Sequence, residues 1–201
     1  MSEHRATLRD INRQEQAPVV KILMISGSTR QGSTNTAVLM TAAALAPTDL
    51  SLQLYDGLTD LPHFDPDDDR DPLPAAVERL RADLDAADAV LLCTPEYAGA
   101  LPGSFKNLLD WTVGGGTYRK PIAWINASWA PTKAAGAHAS LRTVLGYVDA
   151  DVVEPACVHI PVGRPDIDAD GLVSDQDARR RILDAVRALA AHAETAPTMD
   201  W

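Results

Sequence analysis

Short apolar runs alternate with segments of helical periodicity along most of the chain. Runs of consecutive apolar residues are typical of buried strands, whereas apolar residues spaced three and four apart are typical of helices. The pattern predicts strands at 19–26, 50–55, 89–93, 122–126 and 152–160, the last of them broken by Pro155. It predicts helices at 35–46, 75–87, 102–113, 133–147 and 176–193. Strands and helices therefore alternate from the first strand to the last helix.

This alternation predicts an α/β fold on one doubly wound, mostly parallel sheet, because parallel neighbours need a crossover and helices serve as the crossovers. For five strands the default is the flavodoxin-like order 2-1-3-4-5, with helices on both faces in a three-layer α/β/α arrangement. A ligand is expected beyond the carboxyl ends of the strands, where the loops after strands one and three meet. The 201 residues fit a single such domain at 18–201, with 1–17 as a flexible tail or arm.

The charge balance narrows the choice of partners. The formal net charge is −10 at pH 7, whereas nucleic-acid binding requires a basic surface. No apolar run reaches the roughly 18 residues of a membrane helix, and the first residues lack the apolar segment of a secretory signal. The chain has two cysteines, and we interpret Cys93 as a small buried hydrophobe. We therefore expect a reduced, cytoplasmic protein that binds neither nucleic acid nor membranes.

An Asp- and Pro-rich segment at 56–74 predicts a loop. It contains three consecutive aspartates, Asp67, Asp68 and Asp69. The D-x-D-x-D-G spacing of a calcium-binding loop is absent. We interpret the segment as a solvated acidic loop, and we expect no metal site in the chain.

The segment GSTRQGSTNT, at 27–36, follows the first predicted strand and opens the first helix. It has the glycine spacing of a nucleotide-phosphate loop, but Ser33 stands where that loop has lysine. Main-chain N–H groups at a helix start carry partial positive charge. The loop adds side-chain donors from Ser28, Arg30, Ser33, Thr34, Asn35 and Thr36. Such a set without lysine suits a terminal monophosphate such as that of FMN. The alternatives are a helix cap without a ligand and a phosphotransferase loop.

The segment TPEYAGALPGSFKNLLDW, at 94–111, follows the third predicted strand. Switch-point geometry places its first residues beside the first loop, where a planar ring attached to the phosphate would lie. Tyr97 offers an aromatic wall to such a ring. The main-chain N–H groups of Glu96, Tyr97 and Ala98 offer donors to its polar edge.

A third loop follows the fourth predicted strand and contains Ser128 and Trp129. Trp129 is interpreted either as a wall of the pocket or as a packing residue. His138 lies in the helix that follows, and the sequence offers it no suitably spaced Ser or Cys partner for a catalytic triad. A catalytic histidine is therefore not expected.

Two of these motifs resemble those of the NAD(P)H-dependent FMN reductases. GSTRQGSTN is similar to the GSxRxxSxN phosphate loop of that family, and PEYAGALPGSFKNLLDW is similar to its PEYNxxxPGxLKNAIDW segment. The two stand in the same order on matching predicted elements. The resemblance implies phosphate contacts from Ser28, Arg30, Ser33, Asn35 and Thr36, and a flavin ring bordered by Pro95, Glu96, Tyr97 and Ala98, with Ser128 in the third loop.

The sequence departs from that family pattern at two places. Ala98 replaces the usual asparagine, and the third loop, ASWAPTKAAG at 127–136, lacks the glycine-rich SASPGG pattern. Both departures bear on the identity of the substrate more than on FMN binding.

The resemblance implies an FMN-dependent oxidoreductase that takes electrons from NAD(P)H and passes them to a quinone, an azo compound, a flavin or a similar small acceptor. The alternative is an FMN-binding electron carrier that does not itself oxidise NAD(P)H. Such carriers typically flank the ring with aromatic residues on both sides, whereas Tyr97 is the one aromatic residue at the start of the second loop. The resemblance also implies a homodimer or homotetramer, with the helix that carries Lys106 and Asp110 as the candidate interface.

Overall fold

A computed structural model of the chain describes residues 19–113 and 115–196. The strands are β1 (Val20–Ser26), β2 (Leu50–Tyr55), β3 (Ala89–Cys93), β4 (Pro121–Asn126), β5 (Asp151–Val152) and β6 (Val158–His159). The helices are α1 (Thr34–Leu45), α2 (Ala75–Asp85), α3 (Gly103–Asp110), α4 (Ala135–Tyr147) and α5 (Gln176–Thr195). Two short 3₁₀ turns cover Glu154–Ala156 and Arg164–Asp166. The tail or arm expected at 1–17 lies outside the described residues.

The strand order is β2-β1-β3-β4-β5, and the pairings between these strands are all parallel. Strand β1 lies between β2 and β3, so that Ile25 is paired with Tyr55 on one side and with Leu92 on the other. The chain therefore reverses its direction of winding at the carboxyl ends of β1 and β3. The predicted α/β fold and its flavodoxin-like order 2-1-3-4-5 are confirmed.

The fifth strand is broken at Pro155, as predicted, and consists of two short pieces. Val152 of β5 is paired with Ile122, and Val158 of β6 is paired with Ile125, so both pieces lie along the same edge of β4. A 3₁₀ turn containing Pro155 separates them. Proline has no N–H group to donate to the sheet, so the chain leaves the edge at this residue and then rejoins it.

Apolar side chains pack on both faces of the sheet. On one face α1 and α5 contribute Val38 and Ile182, which are fully buried. On the other face α2, α3 and α4 contribute Leu80, Phe105 and Leu141, also fully buried. Burial of each such side chain stabilises the fold by about 1.5–3 kcal/mol. The predicted three layers are confirmed.

Among the residues that the structure describes, no helix is both long enough and apolar enough to cross a membrane.

Candidate functional site

The loops after β1 and β3 lie against each other at the point where the winding reverses. The Gly27 N–H group donates to the Cys93 carbonyl at 2.9 Å. A Cβ atom placed on Gly27 would stand 2.2 Å from Oγ1 of Thr94, which is far inside contact distance. Only glycine permits this approach. The first and second loops predicted to share one site are therefore brought together.

Helix α1 begins at the first loop without a side-chain cap. Ser33 is its N-cap residue, yet its side chain makes no capping hydrogen bond, and the residue is only 6% exposed. The first main-chain bond of the helix runs from the Ala37 N–H to the Ser33 carbonyl. Within the described part of the chain, the N–H groups of Thr34, Asn35 and Thr36 make no hydrogen bond. Such a helix start is a ready anion site.

Several polar side chains of the first loop are already engaged within the protein. Thr36 Oγ1 and Ser26 Oγ lie 2.8 Å apart and share a hydrogen bond. The Cys93 thiol donates to Oδ1 of Asn35 at 3.4 Å. Burial raises the pKa of Cys93 to about 12, so the group stays a neutral thiol beneath the loop. Thr36 and Asn35 therefore help to shape the loop as well as line its surface.

The start of the second loop is a tight hairpin. Tyr97 and Ala100 exchange two main-chain hydrogen bonds, of 3.0 and 3.1 Å. The two residues between them have positive φ, 52° at Ala98 and 75° at Gly99, as a type I′ turn requires. One prediction needs correction, because the Tyr97 N–H group is committed to Ala100 and is not available to a ring. In the described part of the chain, the N–H groups of Glu96 and Ala98 make no hydrogen bond.

The second loop is joined to the start of α4. Oε2 of Glu96 accepts the Ala137 N–H at 2.9 Å. Gly136 passes so close to the hairpin that a Cβ atom there would lie 2.0 Å from the Gly99 carbonyl oxygen. The second and third loops therefore form one rigid wall.

Asn126, the last residue of β4, holds the third loop closed. Its Nδ2 donates to the Lys133 carbonyl at 2.7 Å, and its Oδ1 accepts the Ser128 N–H at 3.0 Å. Lys133 and Ala134 have φ values of 52° and 49°, so α4 begins at 135 rather than at the predicted 133. These two residues adopt the left-handed conformation that glycine would favour. Sequence reasoning missed Asn126, although a polar residue at the end of a buried strand was a usable signal.

Two cavities open on either side of the first turn of α1. The first, of about 240 Å³, lies between the three loops. The predicted site residues that line it are Thr34, Asn35, Pro95, Glu96 and Ser128. The second, of about 660 Å³, is lined by the predicted residues Arg30, Ser33 and Thr36, together with Arg164. Ser28, Tyr97 and Ala98 line neither of these cavities.

Trp129 lines the smaller cavity and is 76% exposed. A core packing role is therefore wrong for this residue, and it forms a wall of the pocket. Tyr97 is also largely exposed, at 52%, on the hairpin of the second loop. The two exposed aromatic side chains stand on different loops, and of the two only Trp129 lines the smaller cavity.

The histidines of this region do not line the smaller cavity. His159 Nε2 lies 2.8 Å from the Ser128 carbonyl, which fixes the third loop from behind. His138 packs beside Trp124 with ring centroids 5.9 Å apart, and burial is the main cause that lowers its pKa to about 4. Among the described residues, no group of three or more His, Cys, Asp or Glu residues is arranged to hold a metal ion.

Comparison with known proteins gives matches that span most of the chain. Residues 20–164 match the model of the NADPH-dependent FMN reductase family. An NAD(P)H-dependent FMN reductase of Pseudomonas aeruginosa is 36% identical over 173 residues, covering 85% of this chain and 93% of the relative. A 2-hydroxy-1,4-benzoquinone reductase of a Burkholderia species is 33% identical over 168 residues, covering 80% of this chain and 89% of the relative.

A solved structure shows the same arrangement of elements. The flavoenzyme NAD(P)H:(acceptor) oxidoreductase FerB of Paracoccus denitrificans superposes with a TM-score of 0.78 at 30% sequence identity. The match covers 89% of this chain and 99% of that one.

Proposed function

The chain belongs to the NADPH-dependent FMN reductase family, and from that premise we propose that it binds FMN where the three loops meet and transfers electrons from NAD(P)H to a quinone or a similar small acceptor. Bound FMN supplies the redox chemistry. The chain's own residues supply binding, orientation and exclusion of water.

The uncapped start of α1 is the observation that carries this proposal. The N–H groups of Thr34, Asn35 and Thr36 have no partner in the described part of the chain, although Asn35 is buried and Thr34 and Thr36 are half-buried and buried donors are nearly always paired. A phosphate monoester supplies acceptor oxygens to several such donors at once. Arg30 adds a full positive charge at the rim. The donor set therefore fits the phosphate of FMN without the lysine that a nucleoside triphosphate would need.

The second and third loops supply the walls for the ring. We propose that Pro95, Glu96 and Ala98 border one edge of the isoalloxazine, with Ser128 opposite. The N–H groups of Glu96 and Ala98 are the main-chain donors left for its polar edge. Ser28 and Tyr97 belong to the same proposal, although neither lines the smaller cavity. Trp129 closes the cavity from the third loop and limits the contact of solvent with a bound ring.

The named activities of the relatives support a quinone as acceptor. One relative is a benzoquinone reductase and the structural neighbour is an NAD(P)H:acceptor oxidoreductase. A planar quinone suits a cavity lined by the exposed aromatic side chain of Trp129. Azo compounds and free flavins also have flat, conjugated ring systems, so we include them in the proposed acceptor class.

The presence of Trp129 gives the electron-carrier alternative a specific observation in its favour. It adds a second aromatic side chain to the loops of the site besides Tyr97, and carriers typically flank the ring with two aromatic residues. The family match over residues 20–164 nevertheless favours the reductase. Rapid oxidation of NAD(P)H by the FMN-loaded protein separates the two, because a carrier would not react quickly with the nucleotide.

Two further features stay proposals. We propose a homodimer or homotetramer with α3 at the interface, where Lys106 and Asp110 form an ion pair of 2.5 Å on the helix surface. We also propose a cytoplasmic location, supported by two free cysteines, one of them buried. Light scattering of the purified chain tests the first proposal, and fractionation of the native host tests the second.

The binding proposal is tested by titrating the flavin-free full chain with FMN, riboflavin and Mg-ATP. We expect FMN to bind much more tightly than riboflavin, which lacks the phosphate, and Mg-ATP to bind weakly. The loaded protein should then oxidise NADPH or NADH when a benzoquinone is supplied. Tight Mg-ATP binding, or equal binding of FMN and riboflavin, would contradict the assignment of the first loop.

A further inference from the structure

The larger cavity is a groove between α1 and the segment 163–174, which we call the strap. The groove has a volume of about 660 Å³. One side carries Arg30, Ser33 and Thr36 from the first loop and α1, and the other carries Arg164 from the strap. Neither sequence motif includes the strap, and local spacing gave no reason to connect it with the first loop.

Hydrogen bonds within the strap fix its main chain at Arg164. Arg164 starts a 3₁₀ turn in which Oδ2 of Asp166 accepts the Gly163 N–H at 2.7 Å. The Asp166 carbonyl accepts the Ser174 N–H at 2.8 Å, and Ile167 pairs with Val173. The Asp166 carboxylate therefore binds the Gly163 N–H group and not the guanidinium group of Arg164.

A buried threonine anchors the strap to α1. Thr41 Oγ1 donates to the Ala37 carbonyl at 2.7 Å and accepts the Val173 N–H at 2.8 Å. Thr41 is fully buried, so this connection is shielded from water. The position of the strap is therefore set relative to the same helix whose first turn offers free N–H groups.

The groove contains two guanidinium groups without partners. In the described part of the chain, neither Arg30 nor Arg164 has an ion pair or a side-chain hydrogen bond. Arg70 and Arg187 also lack one, but they do not line the groove, and five other arginines form ion pairs: Arg79, Arg81, Arg119, Arg142 and Arg180. Ser33, more than nine-tenths buried, has a hydroxyl group with no partner there either. In a chain with a net charge of −10, two free cations beside an uncapped helix start point to an anionic ligand.

We propose that Arg164 is a second cationic contact for the 5′-phosphate of FMN, acting across the groove from Arg30. This inference rests on the proposed function and adds to it a residue outside both motifs. A phosphate monoester carries nearly two negative charges at pH 7, and one arginine neutralises only part of that charge. Guanidinium groups bind phosphate oxygens with two parallel hydrogen bonds, so Arg164 adds affinity and selects phosphorylated over unphosphorylated flavin.

An acidic residue in the groove provides a variant that should strengthen FMN binding, whereas loss of Arg164 should weaken it. Asp170 lines the groove together with Arg164, and its carboxylate repels a bound phosphate. Asp170→Asn should therefore tighten FMN binding. A gain in affinity is informative because a damaged fold does not produce one.

The experiment is a fluorescence titration of the flavin-free full chain with FMN and, separately, with riboflavin. Arg164→Ala should raise the Kd for FMN about tenfold, as expected for the loss of one charged hydrogen-bonding partner. The Kd for riboflavin should not change. Arg164→Lys should give an intermediate Kd for FMN, and the dependence of FMN binding on salt should be weaker in Arg164→Ala than in the unmodified chain.

Arg187→Ala is the matched control, because it removes the same charge from an exposed position. Arg187 lies on α5, roughly 16 Å along the helix from its first residue. This variant should bind both flavins as the unmodified chain does. Its behaviour separates a local contact in the groove from a general effect of net charge.

Two outcomes would overturn the inference while leaving the proposed function intact. In the first, Arg164→Ala weakens FMN and riboflavin equally, so the residue supports the fold rather than the phosphate. In the second, the Kd for FMN is unchanged while the KM for NADPH rises and that for NADH does not, so the groove receives the phosphate of the nicotinamide nucleotide. Failure of the unmodified chain to bind FMN at all would overturn both the inference and the proposed function.

Discussion

Glu96 caps helix α4 across 41 residues of sequence, its Oε2 accepting the Ala137 N–H at 2.9 Å. The residue at the usual capping position, Ala134, has no side chain able to do this. A carboxylate at a helix start is also favoured by the helix dipole. The same residue lies in the loop proposed to border the flavin, so one hydrogen bond connects the stability of α4 to the shape of the ring site.

Replacing Glu96 should affect stability and FMN binding together. Glu96→Ala removes the cap and should lower the free energy of unfolding by about 1 kcal/mol, the usual cost of losing an N-cap. Glu96→Gln keeps an oxygen that accepts the N–H and should lose less. Urea unfolding measures the first effect and flavin titration the second. Unchanged stability in Glu96→Ala would show that the contact does not hold the helix.

Gly136 should be far less tolerant of alanine than Gly146 on the same helix. A Cβ atom on Gly136 would lie 2.0 Å from the Gly99 carbonyl oxygen, whereas one on Gly146 meets nothing within 4 Å. Gly136→Ala should cost about 1–3 kcal/mol, as overpacking does, and should weaken FMN binding because the hairpin must move.

Gly146→Ala is the control for this pair and should stabilise the chain by up to about 1 kcal/mol. Both variants are compared by urea unfolding. Equal stability of the two would contradict the close approach of α4 and the hairpin.

Replacing Ala98 with a residue that tolerates positive φ should stabilise the folded chain. Its φ of 52° costs a residue with a Cβ atom about 1–2 kcal/mol. Ala98→Gly should recover about 1 kcal/mol of stability, and Ala98→Asn should recover part of it, because asparagine is enriched in this conformation. Ala100→Gly in the same hairpin, without positive φ, should gain nothing. Thermal unfolding of the three variants checks the order, and a loss in Ala98→Gly would contradict the turn.

His138 should make stability fall at acid pH. Burial lowers its pKa from 6.5 to about 4, with His159 acting in the same direction and Glu96 in the opposite one. The unfolded chain therefore takes up a proton at this residue below about pH 6.5, whereas the folded chain resists it until about pH 4. The contribution of His138 to the free energy of unfolding is therefore full above about pH 6.5 and is lost as the pH falls from about 6.5 to about 4.

His138→Leu should remove this part of the pH dependence. The change should also stabilise the chain near pH 7, because both ring nitrogens are buried without a hydrogen-bond partner among the described residues. Unfolding measured from pH 4 to pH 8 for both proteins tests this expectation. Parallel profiles would show that His138 does not titrate as described.

The fold could be predicted from the sequence because its main signals are local. A run of five apolar residues, AVLLC at 89–93, is shorter than a typical helix and is typical of a strand buried on both faces, and Ala89–Cys93 is such a strand. The break at Pro155 was also visible, since proline cannot donate to a sheet. What local spacing could not give was the 3₁₀ conformation of Glu154–Ala156, which joins the two pieces.

The site was predictable only where a loop directly follows a strand. The first and second loops could be placed together because the carboxyl ends of neighbouring strands meet. The contact of Glu96 with Ala137 depends on how whole elements pack, and no spacing in the sequence reports it. The same holds for Arg164, which reaches the groove from a strap anchored on Thr41.

The measurement that tests the central claim most directly is the visible absorbance of the FMN-loaded protein under anaerobic conditions, recorded after NADPH, after NADH and then after a benzoquinone. We predict that the flavin absorbance is bleached rapidly by at least one nucleotide and returns when the quinone is added. A bound flavin that keeps its oxidised spectrum with both nucleotides would contradict the reductase and leave the electron carrier as the function of the site.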